Sequence, residues 1–509
     1  MEGKPMNTLE SCRRTAALWA VLAGAATLSS CTLVLNHSAN QCTKDADCAK
    51  FDSQSYCQAG VCIQPPIKIG QSAPATGSSQ ALGLEMNRGL QLAFNVANQN
   101  GGINGRNIEL DFLDDQYDPT LAEANARTLT DADAGVDPPH CPTTANPPVA
   151  GQPPFSQTDL LPGPKAVLAM VGSVGTPTMV RAAPVAVETG RLYFGAFTGA
   201  TTMLRNTVAG PCAKYIFNLR ASYAQEAMAT LSYFFALKVP DAAHLISFDQ
   251  NDSFGDAGFA GLVAAYQALK NVTSVTIQRF RYTRNDVTSV PAQVTGTINY
   301  LTQLLSADSN PHVVGIMMTD TYGPATTYIQ GLVQWLYAND AEQTTLQKAS
   351  RLTLYFSNVS FVGPDTLASQ LAALGSLSTP SGTTVPYTNN VIVSQVVPNY
   401  ASDTNAIISE YKQLIAAANA TPTFTSLEGF LAGRLFVLGL QNNQGAITPD
   451  NLVTAFETLP VQNLALGASA GFSPTNHQYS QSVWGTAIQP NGTFKNVYFF
   501  SNNVLQLFQ

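Results

Sequence analysis

From residue 67 onward, short apolar runs alternate with longer stretches in which apolar residues recur every three or four positions. IKIGQSA (67–73) precedes LGLEMNRGLQLAFNVAN (82–98), and NIELDFL (107–113) precedes a segment opened by Asp118-Pro119. A run of the first kind fits a strand and a run of the second an amphipathic helix. Strict alternation of the two requires parallel strands with crossover helices on both faces of the sheet. Local punctuation agrees. Asn100-Gly101-Gly102 supplies a left-handed stop to the first helix, and Asp118-Pro119 pairs an N-cap with a proline at the first helical position.

The unit recurs. AVLAMVG (166–172) is a strand, 176–190 a helix with Thr176 as its cap, and RLYFGAF (191–197) and KYIFNLR (214–220) are strands; the Pro-rich 136–164 reads as a surface insertion. Ser222-Tyr223-Ala224-Gln225 is a capping box that opens a helix to about 236. Strands 243–249, 274–282, 312–318 and 351–357 then alternate with helices near 256–270, 293–306 and 323–338. After NVIVSQVVP (390–398) come helices near 404–419, 426–442 and 449–458, and 481–500 reads as a hairpin turning at Pro490-Asn491-Gly492. The expected architecture is α/β, with two doubly wound lobes.

The first 66 residues obey other rules. Lys4, Arg13 and Arg14 precede the apolar TAALWAVLAGAATL (15–28), which runs into Leu28-Ser29-Ser30-Cys31. That arrangement resembles the lipobox of bacterial lipoproteins, with 1–30 as signal peptide and Cys31 as the lipidated residue. A plain secretory signal or a short membrane anchor is the alternative. No later segment is apolar enough to span a bilayer. Residues 31–66 read as a tether carrying Cys42, Cys48, Cys57 and Cys62. Their gaps of five, eight and four residues are too wide for the paired spacing of a zinc site, so a knot of two disulfides is expected, with three connectivities open. Cys141 and Cys212 are expected to pair with each other.

Composition excludes one class of partner. The 509 residues are only 11% charged, with a net charge of −8 and no basic stripe, so nucleic acid is a poor partner.

Catalytic candidates are sparse. Gly467-Ala468-Ser469-Ala470-Gly471 matches the G-x-S-x-G pattern, yet Ser469 lacks the preceding strand and following helix that expose such a nucleophile. His37, His140, His244, His312 and His477 show no metal-ligand spacing; His244 and His312, which open strands, are read as structural. Asp249-Gln250-Asn251-Asp252 lacks the glycine and distal glutamate of a calcium loop and reads as a strand-to-helix turn with a capping aspartate. Asp114 and Asp115 end a strand and are expected to be solvated. No metal and no cofactor are implied. What remains are loops at strand C-termini, where open α/β sheets bind ligands: Gly172–Thr176, Phe197–Ala200, Thr319–Tyr322 and Ser357-Asn358.

IKIGQSAPATG, the 97–119 stretch, VGSVGTPT, FTGATTMLR, FNLRASYAQE, DQNDSFGDAG, LEGFLAGRL and SPTNHQYSQSV succeed one another in the order of a known family. Across about 67–500 the chain resembles type I periplasmic binding proteins of the leucine/isoleucine/valine class, substrate-binding components of ABC transporters. The resemblance implies a clamshell of two lobes joined by three crossings, here 67–220 plus 399–470 and 221–398 plus 471–509. It implies a carboxylate held by Thr176, Thr198, Gly199 and Ala200, with aromatic contacts from Tyr223 and Tyr322. The acid that takes an ammonium in leucine-binding members is missing from Ser357-Asn358-Val359-Ser360; Asn358 stands there, and Asp320 is the substitute in reach. The expectation is a non-enzymatic, exported lipoprotein, facing the periplasm or cell surface, that captures an amino-acid-like or amphipathic solute for an ABC permease. A sensor of the same fold is the alternative, and a hydrolase using Ser469 the third.

Overall fold

The computed structural model describes residues 41–48, 55–132, 163, 165–201, 214–467 and 470–508. Cys31, Cys141, Cys212 and Ser469 lie outside them. Two compact units are present, one ending at Pro65 and one spanning Pro66–Gln509.

In the small unit, β1 (Tyr56–Gln58) and β2 (Val61–Ile63) form an antiparallel hairpin turned by Ala59 and Gly60, both at positive φ. The connectivity left open by the sequence is Cys42–Cys57 and Cys48–Cys62. Each bridge spans 15 or 14 residues, a loop whose closure contributes roughly 3 kcal/mol.

The large unit holds two sheets. β3 (Ile67–Ala73), β4 (Ile108–Asp114), β5 (Ala169–Val171), β6 (Leu192–Phe194) and β7 (Ile216–Phe217) pair in parallel in the order β4-β3-β5-β6-β7. The second sheet draws on β8 (Leu245–Gln250), β9 (Gln278–Tyr282), β10 (His312–Thr319) and β11 (Leu352–Asn358). A detached hairpin, β12 (Ser376–Ser378) with β13 (Thr384–Pro386), precedes β14 (Val391–Gln395), β15 (Val483–Ile488), β16 (Phe494–Ser501) and β17 (Val504–Leu507). The eight-stranded order is β17-β16-β15-β14-β11-β10-β8-β9, parallel from β9 to β14 and antiparallel beyond it.

The chain passes between the sheets three times. It leaves the first after β7. It returns after β14 through helices Ala406–Ala417, Phe424–Asn442 and Pro449–Glu457, and goes back to form β15. The return is fixed by packing. Helix Phe424–Asn442 lies directly on Gln80–Gln99, and Phe456 stacks on Phe194 at 4.7 Å and lies tilted against Phe217 at 5.1 Å. Buried aromatic pairs of this kind add about 0.5–1.5 kcal/mol each beyond their area.

The cap signals hold with one correction. Asp118 accepts from the Thr120 and Leu121 amides, Ser222 and Gln225 form the capping box, and Asp252 caps Ser253–Lys270. Thr176, however, is the first residue of its helix, and Gly175, at φ 104°, is the cap. His244 Nε2 and His312 Nδ1 meet at 3.0 Å where β8 and β10 begin, far along the strands from their C-terminal ends. Among the described residues, no helix is long and apolar enough to cross a membrane.

Candidate ligand-binding site

At the C-terminal ends of the first sheet, Thr176 Oγ1 and Thr198 Oγ1 lie 2.7 Å apart. The Ala200 amide donates to Thr198 Oγ1 at 3.2 Å, the Tyr223 hydroxyl donates to it at 3.3 Å, and the Tyr223 amide donates to Gly199 O at 2.8 Å. A Cβ on Gly199 would sit 2.5 Å from Tyr223 Cδ1, so no side chain fits there. Five of the residues singled out in the sequence therefore form one buried polar group. Three hydroxyls beside a helix N-terminus suit an anionic or carbonyl oxygen.

The acidic run at 114–118 has a role the sequence reading missed. Asp115 is fully buried rather than solvated. It accepts from Ser72 Oγ at 2.8 Å and from the Tyr117 amide at 2.9 Å, while Asp114 accepts from the Ala75 amide at 2.8 Å and the Gln116 amide at 2.9 Å. These bonds hold Gln116 and Tyr117 in successive left-handed conformations, φ 53° and 59°, a costly geometry for side-chain-bearing residues. The turn lays the Tyr117 ring against Gly175, where a Cβ would be 2.4 Å from Tyr117 Cε2. Burial pushes the Asp115 carboxyl up to about 7, against the pull of its two hydrogen bonds.

At the ends of the second sheet, Asn358 Nδ2 donates to Asp320 Oδ1, and Asn358 Oδ1 accepts from the Val359 amide. Asp320 Oδ2 is buried with no hydrogen-bond partner. Burial drives this carboxyl well above the usual carboxylate range, the Asn358 amide pulls it down, and Asp249 adds to the rise. Beside it, the Thr321 amide donates to Tyr282 OH at 3.3 Å, Tyr282 OH to Gln250 Oε1 at 3.0 Å, and Gln250 Nε2 to Tyr117 OH at 3.4 Å. This chain of bonds joins the two sheets. Tyr322 packs at the edge, beside Gly363 and the start of helix Gln80–Gln99. Asp249 is engaged by Arg279 and Arg281, and Asp252 by Arg284, which fits a braced turn rather than a calcium loop.

Aromatic rings also join the two sheets. Phe361, just after β11, lies 5.2 Å from Phe197 and 6.0 Å from Tyr117 on the first sheet's side, and 4.7 Å from Phe254 on the second's. Tyr117, Tyr282 and Phe361 carry no site signal in the sequence, and Gln250 is read there only as part of a strand-to-helix turn. The only local mark of Tyr117 is an aromatic residue inside an acidic turn.

A profile of the periplasmic binding protein family matches residues 66–147 and 164–493. The chain belongs to that family. Among solved structures, this periplasmic binding protein is similar to a possible leucine/isoleucine/valine-binding protein from Rhodopirellula baltica SH 1. The two are 27% identical with TM-score 0.64, covering 85% of this chain and 96% of that one. Two others share the fold at 14% identity. A fatty acid ABC transporter substrate-binding protein from Thermomonospora curvata has TM-score 0.61, covering 86% of this chain and 92% of that one. A branched chain amino acid ABC transporter from Thermus thermophilus with bound valine has TM-score 0.60, covering 85% and 95%. A Leu/Ile/Val-binding protein homolog 2 from Brucella abortus (strain 2308) is 45% identical over 53 residues; the match spans 10% of this chain and 14% of the length of that relative. The periplasmic binding protein therefore has the type I fold and sits in a family of extracytoplasmic solute binders that are not enzymes.

Proposed function

We propose that the protein captures a small amino-acid-like or amphipathic solute between the strand ends of its two sheets and delivers it to an ABC permease. The lobes are 67–220 with 399–470 and 221–398 with 471–509. Thr176, Thr198, Gly199 and Ala200 hold the anionic end of the solute, Tyr223 and Tyr322 flank it, and Asp320, oriented by Asn358, takes a cationic or donor group. The observation that carries this reading is the unpartnered Asp320 oxygen, buried at the ends of the second sheet's strands, with the mutually bonded hydroxyls of Thr176 and Thr198 at those of the first. A buried carboxyl oxygen without a donor is costly, and an incoming ammonium relieves that cost. Hydrogen bonds to charged groups contribute about 1.5–3 kcal/mol each, enough for two or three across the cleft to favour closure.

Calorimetry with leucine and with 4-methylpentanoate, which lacks the ammonium, tests the assignment. The parent protein is expected to prefer leucine, and Asp320→Asn to lose about tenfold or more in leucine affinity while binding 4-methylpentanoate as before. Equal leucine affinity in parent and variant contradicts the role of Asp320.

The same reading takes Cys31 as a lipid anchor in a bacterial membrane, tested by loss of membrane retention in Cys31→Ala. The separate two-disulfide unit favours a second reading, in which the same clamshell reports its ligand to a partner protein. Cross-linking in cells separates the two, recovering permease subunits in one case and a signalling receptor in the other.

A further inference from the structure

Arg220 stands where the chain first leaves the small sheet, between β7 and helix Tyr223–Ala236, and its side chain is fully buried. Its terminal nitrogens go in different directions. One lies 3.4 Å from Glu428 Oε1, on the helix that packs against Gln80–Gln99 beside the first sheet. The other bonds Glu226 Oε1 at 2.9 Å and Ser360 Oγ, both on the second sheet's side. Glu226 in turn accepts from the Ser360 amide at 2.8 Å and from Ser394 Oγ, on β14, at 2.6 Å. The third passage joins the same knot, since Gln478 Nε2 donates to Arg220 O at 3.2 Å and to Gln225 Oε1 at 2.7 Å.

One guanidinium thus ties both sheets together beside all three passages. It also backs the candidate site, with its central carbon 5.2 Å from the Phe197 ring and 5.9 Å from the Tyr223 ring. Ser360, which it grips, immediately precedes Phe361, the ring wedged between the sheets. A guanidinium is planar and rigid, so its two nitrogens cannot follow partners that rotate apart. Separation of the sheets must break either the Glu428 contact or the Glu226–Ser360 contacts, leaving buried charge poorly paired.

We propose that Arg220 is a positioning residue that clamps the closed arrangement, through Glu428 on one side and Glu226 with Ser360 on the other, and populates it without ligand. The use of such a clamp rests on the solute-binding reading. Its existence does not, so the test omits ligand. Spin labels attached through non-natural keto residues at Thr120 and Val287 leave the cysteines untouched. Both positions are exposed, on opposite sides of the contacts that Asn285 makes with Ser78 Oγ and Gln116 O, each at 3.3 Å.

Dipolar spectroscopy on the ligand-free chain is expected to show a short-separation population that falls about threefold or more in Glu428→Gln. The unfolding midpoint is expected to stay within about 2 °C of the parent. Arg220→Lys, which keeps the charge but loses the fork, is expected to show the same fall. A merely structural ion pair would lower the midpoint and leave the distances alone. The assignment is overturned by an unchanged distance distribution in either folded variant, by a parent with no short-separation population, or by failure of both variants to fold.

Discussion

Asp115 shows how one carboxyl shapes the site without standing in it. Its bonds to Ser72 and the Tyr117 amide hold the left-handed turn that delivers Tyr117, and its burial raises the carboxyl from an ordinary 3.8 to about 7. The folded state therefore binds this proton more tightly than the unfolded chain. The resulting stability is complete below pH 4 and is lost as pH rises through 7. Asp115→Asn mimics the protonated form and removes that dependence. Unfolding free energies of parent and variant should diverge in the variant's favour between pH 4 and 8, by an amount approaching about 4 kcal/mol at most. Parallel pH curves would contradict the assignment. At this scale the sequence was partly legible. Thr176 and Thr198 stand in loops at strand C-termini that the alternation already marked, whereas Tyr223 came only from the family resemblance. Tyr117 and Phe361 were not legible, because a left-handed turn of ordinary residues and a ring reaching across from another sheet leave no periodic trace.

Among elements, the contact of helix Gln80–Gln99 with Phe424–Asn442 fixes how the returning chain meets the first sheet. The two backbones nearly touch. A Cβ on Gly89 would lie 2.1 Å from Ser426 O, one on Gly429 2.4 Å from Met86 O, and one on Gly433 2.6 Å from the Ala93 Cβ. Backbone atoms cannot yield as side-chain ends do, so Gly89→Ala should cost about 2–4 kcal/mol in chemical denaturation. Gly323→Ala, where an added Cβ meets nothing within 4 Å, is the control and should change stability by less than about 1 kcal/mol. A Gly89 variant as stable as the control would mean that the helices repack freely. Helix starts were readable because caps are local chemistry, as Asp118 and Ser222 show. The detached β12–β13 hairpin and edge strand β17 were not anticipated, since their short exposed runs carry little apolar signal.

At the scale of the whole molecule, two sheets present their strand ends to each other and the chain crosses between them three times beside one buried arginine. That topology was legible in the alternation of segments and in the order of motifs. The contacts between the sheets were not, because Gln250–Tyr117 and Arg220–Glu428 join residues more than a hundred positions apart. The polar group around Thr176 and Thr198 is proposed to hold the anionic end of a solute. The most direct test of that role is the thermal unfolding midpoint of the parent and of a Thr176→Val/Thr198→Val double variant, each titrated with valine, leucine, phenylalanine and a medium-chain fatty acid. At least one solute is expected to raise the parent midpoint by about 3 °C or more and to leave the double variant unmoved. A panel that moves neither protein, or a shift that survives intact in the double variant, would contradict that role.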